Sequence, residues 1–309
     1  MRLVLRGALL GLLVTQLAGA SPARAGTVAR DDTAQWLAFY SDGINNPSVL
    51  SSLARNGDYR RLASSRRDAY PCDLGDVVSV GYPRWSPDGS MLSFLQVVVT
   101  TDVGCDDHQE TEDRLTVMQP DGSEQRTLVA SQHIQQAGWA ADGSSLYYTT
   151  GNLDGLWSVG VDGSTPEQIN SMDGWQEVSP SGDRVAVIPF DHPLDQTMSV
   201  AAIDGSDPTE IAAVGPYASG RDLRWSPDGG WIATIRRGRV LLVRPDGSER
   251  RVVWRGEVYG LDFSASGGKL VVAAYDDDLW VVDLATGRSH NVTQTDRRRE
   301  YDPTWRPRP

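Results

Sequence analysis

Six residues recur at comparable places along this chain and could line one pocket: Tyr82, Gln136, Trp175, Tyr217, Tyr259 and Tyr301. Each stands shortly before the end of a short apolar run, at Trp85, Trp139, Val178, Trp225, Phe263 and Trp305 in turn. Aromatic rings combine a large apolar body with a polar edge, so a set of them binds a partner by contact area and needs no covalent step. The alternative role for the same rings is packing inside the fold. Groups for catalysis are sparse. There is no G-x-S-x-G, H-E-x-x-H, Walker loop or dinucleotide glycine pattern, so no catalytic residue and no cofactor is indicated. The carboxylates available for a small acid/base site are Asp173, Asp222, Glu257, Asp262 and Glu300, and the sequence does not pair them. The acidic runs at 106–107, 110–113 and 276–278 lack the ordered spacing of a calcium loop, and His133, His192 and His290 are scattered. No metal site is expected.

The elements that must position these residues are repeats. Arg84-Trp85-Ser86-Pro87-Asp88-Gly89 returns as Arg224-Trp225-Ser226-Pro227-Asp228-Gly229 and, in weaker form, at Trp139, Val178 and Phe263. Pro presets φ, Asp bonds its own backbone and Gly accepts a left-handed conformation, which makes a tight turn between two strands. A second turn marker follows each first one, at Asn56-Gly57, Asp121-Gly122, Asp162-Gly163, Asp204-Gly205, Asp246-Gly247 and Thr286-Gly287. The glycines of these pairs are 65, 41, 42, 42 and 40 residues apart, a period of propellers and solenoids. Two hairpin turns per unit mean four antiparallel strands, the content of a propeller blade.

Trp-Ser-Pro-Asp-Gly followed by a β-rich strand and an Asp-Gly turn resembles the WD40-like repeat of the TolB-type β-propellers, over roughly residues 36–309. The resemblance implies an all-β, six-bladed propeller that commonly serves as a binding platform. It leaves no room for the separate domain that precedes the propeller in TolB, or for the hydrolase domain that follows related propellers in some peptidases. The first blade lacks its innermost strand, and Tyr301-Asp302-Pro303-Thr304-Trp305 matches that strand at the other end of the chain. The C-terminal strand is therefore expected to pair into the N-terminal blade and close the ring, which hides two open sheet edges.

Residues 1–25 read as a secretory signal peptide, with Arg2 and Arg6, an apolar stretch from Ala8 to Leu17, and Ala23-Arg24-Ala25 as the cleavage site. Residues 26–35 then form a flexible segment ahead of a propeller at 36–309. The apolar stretch is shorter than the ~20 residues of a spanning helix, and no later segment qualifies as a membrane span. Cleavage removes three arginines and no acid, taking the net charge from −12 to −15 and leaving Lys269 as the single lysine. Nucleic acid is an unsuitable partner for such a surface. An exported chain whose only cysteines are Cys72 and Cys105 favours a disulfide between them.

In each blade the Pro-Asp-Gly and Asp-Gly turns share one face. The links between blades and the longer loops occupy the other, irregular face, where functional residues concentrate. The six positions named first enter the innermost strands at the channel mouth on that irregular face. The expected protein is thus a monomeric periplasmic, envelope or extracellular propeller, non-catalytic, that binds a peptide, protein or glycan partner of the cell envelope. A small enzyme site in the channel mouth and a purely structural envelope role remain open.

Overall fold

A computed structural model describes residues 35–43, 46–54, 58–65, 77–101, 110–151, 155–190, 196–215, 219–294 and 299–307. The repeated turn is built as its residue types require. The Ser86 N–H bonds the Met91 carbonyl at 2.9 Å, and the Gly89 N–H bonds the Ser86 carbonyl at 2.8 Å. The Ser86 hydroxyl donates to Asp88 at 2.6 Å and accepts the Met91 N–H at 2.9 Å. Ser226 repeats these bonds with Asp228 at 2.5 Å and the Trp231 N–H at 2.8 Å. In two of the drifted copies the serine persists: Ser179 and Ser264 accept the N–H groups of Arg184 and Lys269, each at 3.1 Å, whereas Ala140 stands at this place in the third blade. Gly89 and Gly229 both sit at φ 68°, a conformation that L side chains rarely adopt.

Six four-stranded antiparallel sheets follow from these turns. The first blade holds β1 (Gln35–Gly43), β2 (Asn46–Ala54) and β3 (Tyr59–Ser64). The second is β4 (Val77–Trp85), β5 (Leu92–Thr101), β6 (Glu110–Met118) and β7 (Arg126–Ser131), and the third β8 (Ile134–Trp139), β9 (Ser145–Thr150), β10 (Leu156–Gly160) and β11 (Glu167–Asn170). The fourth is β12 (Trp175–Val178), β13 (Arg184–Ile188), β14 (Thr197–Ala202) and β15 (Thr209–Ala213), and the fifth β16 (Ser219–Trp225), β17 (Ile232–Ile235), β18 (Arg239–Val243) and β19 (Arg250–Arg255). The sixth is β20 (Val258–Phe263), β21 (Lys269–Ala274), β22 (Leu279–Asp283) and β23 (Ser289–Asn291), and β24 (Arg299–Trp305) completes the first blade. No helix occurs among the described residues.

The closure expected from the sequence is present. β24 pairs with β1, with Leu37 opposite Trp305, Tyr40 opposite Tyr301 and Ser41 opposite Glu300. The Arg306 N–H continues the ladder to the Trp36 carbonyl at 2.8 Å, and the Trp36 and Trp305 rings meet edge to face at 5.1 Å. Each sheet buries both faces against its neighbours, which is why strands such as Leu270-Val271-Val272 read as continuous apolar runs. Among the described residues the core is accordingly divided into six clusters, one at each interface between adjacent blades. Indole N–H groups reach from one blade to the next: Trp139 donates to the Arg84 carbonyl and Trp225 to the Glu177 carbonyl, both at 2.9 Å.

Candidate binding site

Each innermost strand runs from the irregular face to the turn face, and five of the six carry an irregularity that adds residues on the innermost side. The extra residues lie between Gly81 and Arg84, Ile134 and Gln136, Ser219 and Arg224, Val258 and Gly260, and Tyr301 and Thr304. A bulge breaks the period-two alternation and re-aims the side chains around it. Tyr82 and Asp302, at equivalent points of β4 and β24, take left-handed φ values of 55° and 42°. Such backbone is strained for non-glycine residues and concentrates at functional sites.

These bulges assemble an arc of five tyrosines across the second, first and sixth blades. Tyr40 lies 6.2 Å from Tyr82 and stacks on Tyr301 at 4.9 Å. Tyr301 in turn meets Tyr259 at 5.1 Å, and Tyr259 meets Tyr275 at 5.8 Å. Gly81 lets the second blade approach, since a Cβ there would stand 3.3 Å from the Tyr40 ring. Four rings are half-buried and Tyr275, at the loop end of β21, is 62 % exposed. Burial and then the neighbouring Tyr275 and Tyr301 raise the Tyr259 pKa, so the phenol stays a neutral donor. Beside the arc Arg299 pairs with Asp277 at 3.6 Å and bonds the Tyr301 side chain.

Deeper in the channel, the residue just before each run-ending aromatic or apolar residue is Arg84, Gly138, Glu177, Arg224, Asp262 or Thr304. Glu177 accepts the Gln136 amide at 2.6 Å, lies 3.9 Å from Arg224, and leans over Gly138, where a Cβ would stand 3.5 Å from its carboxylate. Burial pushes the Glu177 carboxyl up to about 7, a rise that the Arg84 charge and the Gln136 bond only partly offset. Asp262 is also raised by burial, against the opposing pull of Arg84. Its Oδ2 accepts the Trp305 N–H at 2.8 Å and the Thr304 hydroxyl at 3.1 Å, tying the sixth blade to the closing strand.

Of the six positions marked in the sequence, Tyr82, Tyr259 and Tyr301 are brought together. Trp175 stands apart, edge to face with Phe190 at 4.5 Å. Gln136 is buried and committed to Glu177. Tyr217, like Cys72 and Cys105, lies outside the described residues. Sequence reasoning missed Tyr40 and Tyr275, which are not on innermost strands, and Glu177. The signal for Glu177 was available, because aligning the repeats on their aromatic residue exposes the charged column that precedes it. The acidic loop at 276–278 is spent internally: Asp276 accepts the Trp280 indole N–H at 2.9 Å, Asp277 pairs with Arg299, and Asp278 accepts the Asn291 amide at 2.6 Å. Among the described residues no three His, Cys, Asp or Glu side chains form a metal-binding group. No helix among them is long and apolar enough to cross a membrane.

No protein-family pattern and no curated protein matches the sequence. Solved structures do match. TolB from Acinetobacter baumannii superimposes with a TM-score of 0.70 at 14 % identity, over 89 % of this chain and 67 % of that one. The fold is that of a TolB-type propeller. A putative TolB from Agrobacterium tumefaciens is similar at a TM-score of 0.53 and 17 % identity, over 89 % of this chain and 99 % of that one. A chain from a nidogen/laminin complex reaches a TM-score of 0.63 at 12 % identity, over 88 % and 98 % of the two chains. At these identities the TolB likeness is one of architecture.

Proposed function

We propose that this TolB-like propeller is an exported, non-catalytic protein that binds a peptide, protein or glycan partner of the cell envelope on its irregular face. The observation that carries the reading is the arc from Tyr82 through Tyr40, Tyr301 and Tyr259 to Tyr275. Interface hot spots are rich in tyrosine, and a row of half-buried rings ending in an exposed one supplies anchors with little side-chain entropy to lose. The occurrence of a similar fold in a nidogen/laminin complex supports a protein as the class of partner. The channel supports a non-catalytic role, since Glu177 and Asp262 are engaged by Gln136, Thr304 and the Trp305 backbone. The apolar stretch from Ala8 to Leu17 followed by Ala23-Arg24-Ala25 supports export, and a Cys72 to Cys105 bridge belongs to the same reading. The test is capture from native envelope extract by the immobilised chain from residue 26 onward, wild type beside Tyr275→Ala. The exposed ring should matter for capture and not for folding, so equal capture by the two proteins overturns the proposal.

A further inference from the structure

The first blade carries a second concavity, on the sheet face turned toward the sixth blade. Same-face residues of its four strands line it: Glu300 on β24, Phe39 and Ser41 on β1, Val49 and Ser51 on β2, Tyr59 and Arg61 on β3. The registers place Ser41 opposite both Glu300 and Val49, and Ser51 opposite both Phe39 and Arg61. The cleft encloses about 320 Å³, at the lower end of the volumes used for small-molecule sites.

Its chemistry is graded from one side to the other. Glu300 is 1 % exposed, so its carboxylate acts from a low-dielectric wall, where attraction for a cation is strong. Phe39 and Tyr59 meet edge to face at 6.0 Å and supply aromatic surface, with Val49 beside them. Burial first, and then the charges of Glu300 and Asp278, raise the Tyr59 pKa, which marks a negative potential at the phenol. Arg61 is exposed at the far edge. Three strand spacings, about 14 Å of backbone, separate the Glu300 and Arg61 strands, and the two residues lie in different cross-strand rows at opposite edges of the cleft.

We propose that this cleft is a binding site for a zwitterion of amino-acid size with an apolar side chain. Its ammonium would face Glu300 and the aromatic pair, its carboxylate Arg61, and its apolar body would lie on Phe39 and Val49, with the Ser41 and Ser51 hydroxyls between. Titration calorimetry on the chain from residue 26 onward, with L-phenylalanine, phenethylamine and 3-phenylpropionate as probes, tests the proposal. L-Phenylalanine should bind at one site, and each analogue lacking one charge should bind at least about tenfold more weakly, the effect of one lost charged hydrogen bond. Arg61→Gln, a change at an exposed side chain, should remove the preference over phenethylamine. Glu300→Gln should remove the preference over 3-phenylpropionate; if that variant does not fold, Arg61→Gln alone decides. Absence of binding by L-phenylalanine, equal binding of all three probes, or a preference untouched by Arg61→Gln overturns the proposal.

Discussion

Glu177→Gln should make the propeller more stable at pH 8 and leave it unchanged near pH 4.5. Burial lifts the Glu177 carboxyl from 4.5 to about 7 in the folded chain. Between those values the native state holds a proton that the unfolded state has released, so this group's contribution to stability falls as pH rises through the window. At about 1.4 kcal/mol per pH unit the loss is roughly 3 kcal/mol. Glutamine imitates the protonated acid: it can still accept the Gln136 amide and carries no charge to bury. The variant should therefore exceed wild type by about 3 kcal/mol at pH 8, or ~6–12 °C in melting temperature for a domain of this size. The assay is urea denaturation of both proteins at pH 4.5 and pH 8 with the slope unchanged, so that midpoints report stability. A variant less stable than wild type at pH 8 would refute the reasoning. It would mean that the ionised carboxylate stabilises Arg84 and Arg224 by more than its own desolvation costs.

Removing everything after Thr295 deletes β24, so the truncated chain should melt at a markedly lower temperature and self-associate through the opened edge, read by calorimetry and light scattering. An unchanged melting curve and a monomeric profile would count against the closure. Trp225→Ala removes a buried ring and its bond to the Glu177 carbonyl, and should cost about 3–5 kcal/mol in denaturant unfolding, with little effect on binding beyond that of the unfolded fraction. Non-reducing mass spectrometry of the protein from its native compartment should find Cys72 linked to Cys105, and two alkylatable thiols would disprove the link.

The blade count was legible because turn chemistry is local. Pro, Asp and Gly in order specify a turn wherever they stand, and two of the three drifted copies kept the serine that closes it, at Ser179 and Ser264. The closing strand was legible because Tyr301 to Trp305 repeats the approach to an aromatic residue. The binding site was only half legible. Period-two reasoning assumes an unbroken strand, whereas bulges on five innermost strands re-aim the residues that matter. Tyr40 joined the arc through pairing with Tyr301 at the far end of the chain, which no local pattern announces. Gln136 looked like a counterpart of the aromatics, but its neighbour on the next blade is Glu177, and a buried carboxylate claims the nearest amide.

The central claim, that the tyrosine arc binds a partner and is not merely interblade packing, is tested most directly by measuring melting temperature and partner affinity together for Tyr82→Ala and Tyr259→Ala. Each variant should melt within a few degrees of wild type and bind the captured partner more weakly by about 2 kcal/mol, roughly thirtyfold in Kd. Full affinity in both variants, or unfolding as ready as that of Trp225→Ala, would contradict the claim.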